Sequence, residues 1–261
     1  MSKVFLIDVN KCNGCANCQV ACKDEHCNQP WLPYAEAQPM TGQFWCKMHQ
    51  KERGQVPVVK VSYRPEMCNH CADAPCMKAA PDAVYRRDDG LVIIDPEKAK
   101  GNKALVDSCP MGAIYWNEKL ELPQKCTGCA HLLDNGWDVP RCVDACPTEA
   151  LRYVDESEVD MERAETLPGM ESLGSKVYYY NLPKRFVAGA VVDFEADEVA
   201  IGQTVELLDK GGKVVAEQET DEFGDFMFDQ VEAKPYTVRI GKKTLDADVT
   251  EIDLCLGDIA L

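Results

Sequence analysis

The chain has 261 residues, is 46% hydrophobic and carries a formal net charge of −16, which allows one large or two modest domains. That charge excludes nucleic acid as a natural partner, because phosphate must be neutralised by cations, and no apolar run approaches the roughly eighteen residues that cross a bilayer as a helix. The 15 cysteines are far above ordinary usage and demand a chemical role.

Val4 to Val9 reads as a strand. Its apolar stretch is too short for a secretory signal, and Asp8 interrupts it. A cytoplasmic location is therefore expected, with the periplasm as the alternative if a signal-bearing partner exports the folded chain. A reducing compartment favours metal ligation over disulfides.

The strand leads into Cys12, Cys15, Cys18 and Cys22, spaced C-x2-C-x2-C-x3-C. That is the bacterial ferredoxin run, which holds cubane iron–sulfur clusters through thiolates. Gly14 is expected to let the backbone curl against inorganic sulfide where a Cβ would crowd it. Cysteines three residues apart are poorly placed for unstrained disulfides, and zinc sites favour two short pairs separated by a longer loop.

Residues 23–54 show no clear period and read as a long ordered loop, rich in aromatics and proline. Cys27 and Cys46 lie in it as spare buried thiols. Residues 56–63 alternate as a strand. Then come Cys68, Cys71 and Cys76, where a fourth cysteine is expected just before a proline; the chain has Ala80-Pro81. His70, between two cysteines, is expected to hydrogen-bond or pack rather than ligate.

Residues 83–95 form a hairpin about Asp89-Gly90. Read back from Cys109-Pro110, ferredoxin spacing places ligands at Ala99, Asn102 and Leu105, with Gly101 at the tight turn. Only Cys109 is a cysteine. Residues 114–122 read as a strand. Cys126 and Cys129 follow, then an insertion of 12 residues, then Cys142 and Cys146 before Pro147. Residues 150–154 return to a strand pattern.

These are four related runs in two pairs. In two-cluster ferredoxins the last cysteine of each run ligates the cluster of the other run. Pairing the second run with the third gives one complete set, Cys68, Cys71, Cys76 and Cys109. The other set of that pair is Ala80, Ala99, Asn102 and Leu105, which has lost every ligand together, as in a clean deletion of one cluster. Pairing the first run with the fourth gives Cys12, Cys15, Cys18 and Cys146, and Cys22, Cys126, Cys129 and Cys142. The expectation is three [4Fe–4S] clusters on twelve of the 15 cysteines, leaving Cys27, Cys46 and Cys255.

The four-run order, with Cys-Asn-His-Cys-Ala-Asp-Ala-Pro-Cys at 68–76, Cys-Thr-Gly-Cys-Ala-His-Leu at 126–132 and Tyr-Tyr-Asn-Leu-Pro-Lys-Arg-Phe at 179–186, resembles the iron–sulfur subunits of molybdopterin oxidoreductases of the dimethyl sulfoxide reductase class. The resemblance covers roughly residues 2–190. It implies a large molybdopterin-binding catalytic partner, which carries the molybdenum cofactor and the active site, so that this chain holds no catalytic residue itself. Family members usually carry four clusters in line. The missing one corresponds to the distal cluster that serves a membrane quinone subunit in respiratory members. Three clusters plus an added C-terminal β-domain are most similar to the transhydroxylase branch, anaerobic heterodimeric enzymes that move a hydroxyl between polyhydroxybenzenes, pyrogallol to phloroglucinol. An electron relay for a quinone-linked reductase and a freestanding polyferredoxin are the alternatives.

Residues 155–175 hold seven acidic residues against Arg163, and 155–186 reads as an acidic linker or strap. From 187 to 261 short strands alternate with turns, suggesting a small all-β sandwich, transthyretin-like or immunoglobulin-like. The net charge from residue 184 onward, 18 acids against 8 bases, reads as a solvated surface. The expected fold is α+β: two ferredoxin-like cluster-binding modules over 1–154 (12–22 paired with 126–146, and 68–110), then the linker and the sandwich.

Overall fold

Lys3–Asp8 forms strand β1, with Val4, Phe5, Leu6 and Ile7 all buried. A strand buried on both faces needs cover on both, and the computed structural model, which describes residues 3–261, provides it. β1 is the centre of a sheet with β8 (Leu151–Asp155), antiparallel, and β9 (Val177–Tyr180), parallel, on its two edges. Phe5 and Ile7 face a core shared with Cys18, Cys22, Cys68, Cys126 and Cys142. Val4 and Leu6 face Val159 and Tyr180. Each such side chain contributes roughly 1.5–3 kcal/mol.

That second layer corrects the reading of 155–186 as a linker. Val159, Leu167, Met170, Val177, Tyr179 and Tyr180 are buried, Tyr179 Oη donates to Pro65 O at 3.1 Å, and Glu165 and Tyr179 form a β-bridge. The acids lie between these anchors and face outward, so composition conceals a segment built into the core.

Between β1 and β8 the chain alternates cysteine loops with short elements. Helix α1 (Asn17–His26) follows the first loop and buries Cys18, Ala21, Cys22 and His26 along one face. β2 (Cys46–Gln55) and β3 (Val58–Met67) pair as a hairpin. The strand over 46–55 is absent from the sequence reading, because Lys47-Met48-His49-Gln50-Lys51-Glu52-Arg53 has no apolar alternation. Helix α2 (Pro75–Ala79) carries Cys76 and starts on a proline, whose missing N–H costs nothing in the first turn. Hairpins β4–β5 (Val84–Arg86, Val92–Ile94) and β6–β7 (Tyr115–Asn117, Leu122–Gln124) separate the remaining loops. The 114–122 stretch is thus a turn between two short strands, not one strand. Helices α3 (Ala130–Asp134) and α4 (Arg141–Asp144) close the last loop, and α4 packs on α1.

Contacts divide the chain into two units. The first runs to Gln50 and includes Ser62–Leu182; the second comprises Lys51–Val61 and Pro183–Leu261. The tip of the β2–β3 hairpin therefore belongs to the second unit, a boundary the sequence does not mark.

The second unit has two four-stranded sheets. One is centred on β10 (Arg185–Asp193), which pairs with β11 (Glu198–Val199) and β14 (Asp225–Val231) antiparallel and with β17 (Leu254–Ala260) parallel. The other runs β13 (Val214–Glu219), β12 (Thr204–Leu208), β15 (Pro235–Ile240), β16 (Lys243–Asp248). Alternation sets the register: Tyr236, Val238 and Ile240 turn inward to meet Val187, Val191, Phe226 and Phe228, while Arg239 pairs with Glu206 directly across on the outer face. β11 is only two residues long, and β16 exposes Lys243, Thr244, Asp246 and Asp248.

The hairpin tip is tied into this second unit by a buried ion pair. Arg53 Nη1 and Asp253 Oδ1 lie 3.2 Å apart, with side chains 7% and 3% exposed. Asp253 Oδ1 also accepts from Phe186 N at 2.9 Å, and Arg53 donates to Lys184 O.

Candidate iron–sulfur centres

Three cysteine loops share one local geometry. In each C-x-x-C turn the residue before the second cysteine has a left-handed backbone: Gly14 at φ +76°, His70 at +44° and Gly128 at +63°. That twist aims its N–H at the first sulfur, Gly14 to Cys12, His70 to Cys68 at 3.5 Å and Gly128 to Cys126 at 3.3 Å. Successive N–H groups turned inward in this way make a concavity for anions, a recurrent feature of Fe–S sites. Glycine adopts the twist freely. His70 occupies it at a cost of about 1–3 kcal/mol.

Gly14 also makes room for a neighbour: a Cβ there would stand 2.5 Å from Cδ1 of the Tyr63 ring on β3.

Burial and mutual charge sort twelve of the cysteines into three sets of four. Burial, then Cys18, Cys146 and Cys15, push the Cys12 thiol up. Burial, then Cys126, Cys142 and Cys129, push Cys22 well above the ordinary thiol range, and burial followed by Cys142 and Cys68 holds Cys126 at about 12. Burial, then Cys68, Cys109 and Cys76, push Cys71 up to about 12. Cys68, Cys71, Cys76 and Cys109 line one cavity with Asn69, His70 and Lys125. Cys146 of the fourth run thus lies near Cys12, Cys15 and Cys18, and Cys22 of the first run lies near Cys126, Cys129 and Cys142.

The sets follow one another. Cys46, read from sequence as a spare buried thiol, is enclosed beside Cys142 and Cys18, which together with burial push its thiol well above the ordinary range. Cys126 of the Cys22 set lies within the charge of Cys68. All four members of the middle set are buried, whereas Cys15 is exposed and Cys12, Cys146, Cys71 and Cys109 are half-buried. Cys27 donates to Pro39 O at 3.6 Å and Cys255 lies on β17; neither joins a set.

An iron–sulfur group fits these residues. Four thiols crowded out of water cannot ionise together unless cations share the space, and all-thiolate donors suit iron–sulfur clusters. Asn69 Nδ2, His70 Nε2 and Thr127 Oγ1 are buried in the cysteine loops without a hydrogen-bond partner, where cluster sulfide would accept from them. Among the described residues no three His, Cys, Asp or Glu side chains close on a single metal ion; a cubane spreads its thiolates over four separate corners.

His70 is neutral, its pKa held well below the usual imidazole range by burial and then by Lys125. Its Nδ1 accepts from Val92 N at 3.0 Å, which leaves the proton on Nε2. Arg86 donates to Cys71 O at 2.6 Å, Ala72 O at 2.9 Å, Gly90 O at 3.0 Å and His70 O at 3.3 Å, locking this loop to the β4–β5 hairpin. His26 stays neutral with a pKa lowered to about 4 by burial; its Nδ1 meets Cys22 O at 2.9 Å.

The four positions where ferredoxin spacing leaves no cysteine are also together. Ala80, Ala99 and Leu105 are buried with Val84, Val92, Ile94, Ile114 and Leu122 in one apolar cluster, and Asn102 is half-buried on the turn before Leu105. Side chains fill the volume.

Sequence comparison matches residues 59–156 to the 4Fe-4S dicluster domain. Pyrogallol hydroxytransferase small subunit of Pelobacter acidigallici is 42% identical, covering 95% of this chain and 94% of that one. The chain belongs to the family of iron–sulfur electron-transfer subunits of molybdopterin enzymes. A subunit of the anaerobic dimethyl sulfoxide reductase of Escherichia coli is 34% identical over 58% of this chain and 74% of its own length. A putative dimethyl sulfoxide reductase iron–sulfur subunit of Halobacterium salinarum is 32% identical over 60% and 67%. This iron–sulfur subunit is rich in strand with few helices, and among its described residues no helix is long and apolar enough to cross a membrane.

Sequence spacing singled out the twelve thiols that the structure brings near one another. It did not find Cys46 beside Cys18 and Cys142, nor Lys125, Arg86, Asn69 and Thr127. Only folding brings Cys46 and Arg86 to the cysteine loops; Lys125, Asn69 and Thr127 adjoin cysteines in the chain, but their burial is not visible there.

Proposed function

We propose that the chain holds three [4Fe–4S] clusters in line, the Cys12, Cys22 and Cys68 sets in that order. In this reading it serves a large molybdopterin-binding chain that transfers a hydroxyl between polyhydroxybenzenes, pyrogallol to phloroglucinol. The observation that carries the reading is the grouping of thiols from crossed runs into three complete fours, with the fully buried set between the other two. The substrate assignment rests on the likeness to pyrogallol hydroxytransferase small subunit over nearly all of both chains.

When bound, each cluster stores and passes one electron. The chain supplies the rest. Thiolates from distant runs hold each site, backbone N–H groups face the sulfurs, and burial of the middle set keeps water out. Hydroxyl transfer of this kind moves no net electrons, so the clusters set the redox poise of the partner's molybdenum centre. The apolar cluster at Ala80, Ala99 and Leu105 is the remnant of a fourth site. Its filling argues against a relay to a membrane quinone, and a freestanding carrier has no observation in its favour. We read the second unit as a transthyretin-like sandwich that serves an interaction or stabilising role, and the two modules of the first unit as ferredoxin-like.

Anaerobic purification with iron and acid-labile sulfide analysis tests the count, with about twelve of each expected per chain. Contents near eight or sixteen contradict it. Copurification of a large molybdenum-containing chain that converts pyrogallol tests the partner and substrate; a complex inert toward polyhydroxybenzenes refutes that part.

A further inference from the structure

Lys125 is 3% exposed. Its ammonium donates to Val92 O and, at 3.1 Å, to Cys126 O. Both acceptors are neutral carbonyls. A buried ammonium costs several kcal/mol unless negative charge compensates it. The groups around it are cysteines: Lys125 adjoins Cys126 in the chain and shares a cavity wall with Cys68, Cys71, Cys76 and Cys109. Cys12, Cys15, Cys18 and Cys146 do not line that cavity.

The same site gathers more donors. Val92, whose carbonyl holds Lys125, gives its N–H to His70 Nδ1, leaving the His70 Nε2 proton without a protein acceptor in the wall of that cavity. Asn69 Nδ2 is there on the same terms. A histidine at a twist position held by glycine in the other two loops carries a strain that its side chain must offset.

Reduction of a thiolate-bound cubane adds one negative charge, so a fixed cation and aimed N–H donors favour the reduced form. We infer that Lys125 is a redox-tuning residue, which raises the potentials of the Cys68 and Cys22 sites and makes the Cys68 end of the line the place where an electron rests. This rests on the cluster assignment proposed above. The apolar cluster of Ala80, Ala99 and Leu105 then closes that end, so the line acts as a reservoir with one open end.

The test is an EPR-monitored redox titration of the intact complex carrying Lys125→Gln, with each signal assigned by its loss in Cys12→Ala, Cys129→Ala or Cys71→Ala. Glutamine keeps a donor for Val92 O and removes the charge. At a fixed potential the reduced-to-oxidised ratio of the Cys68 site is expected to fall about tenfold, about 59 mV for one electron. The Cys22 site should shift the same way and the Cys12 site should hold still. Lys125→Arg is expected to restore the wild-type order. Three signals that keep their midpoints in Lys125→Gln at full iron content overturn the role of Lys125. Failure of the wild type to give three assignable signals overturns the cluster assignment instead.

Discussion

Cys18 and Cys22 are one helical turn apart on the buried face of α1, with Cβ atoms about 5–6 Å from each other. If each run served one cluster, replacing either residue by alanine would remove the same cluster. The structure puts Cys18 with Cys12 and Cys22 with Cys126, Cys129 and Cys142. Each single variant should therefore lose about four of about twelve irons, a third, but from different sites. The Cys18→Ala/Cys22→Ala double variant should lose about two thirds, since the losses fall on separate sites and add. The Cys12→Ala/Cys18→Ala control should lose only about one third, because both thiols belong to one site. Iron and sulfide analysis gives the totals, and EPR of the reduced protein shows which signal disappears. A Cys18/Cys22 double variant that loses only one third, or two single variants with identical spectral losses, would refute the grouping.

Arg86→Met removes donors to three carbonyls of the Cys68 loop and to Gly90 O of the adjoining hairpin, each charge-assisted bond being worth about 1.5–3 kcal/mol; the Cys68-set signal should vanish first during timed chelation, and an unchanged order of loss counts against it. Gly14→Ala sets a Cβ against the Tyr63 ring and into a left-handed backbone, so Tyr63→Ala should rescue the Cys12-set signal only in part; full rescue would mean that the backbone twist is unimportant. Asp253→Ala leaves Arg53 buried without its counter-ion and should cost about 3–5 kcal/mol, read as lost hydrogen-exchange protection in β10 and β17 of the full chain; protection within about 0.5 kcal/mol of wild type contradicts it.

Cysteine spacing is legible in the sequence because a cubane demands thiolates at fixed offsets, and the Asp89-Gly90 hairpin is legible because its turn chemistry is local. The strand at 46–55 is not, since its polar residues gain their pairing from β3 rather than from any pattern of their own. Composition misleads at 155–182, where seven acids surround a few anchors; Val159 and Tyr180 matter because β1 needs cover on its second face.

By itself the sequence determined the thiol inventory and its spacing along the chain, from which the crossed pairing proposed above is argued. Tertiary structure alone decided that Cys46 is buried beside Cys18 and Cys142, that Lys125 lines the Cys68 cavity, and that His70 presents an unpaired N–H to it. It also decided that the 51–61 hairpin tip belongs with the second unit. These depend on which side chains meet across long separations, and burial and charge are set by those meetings.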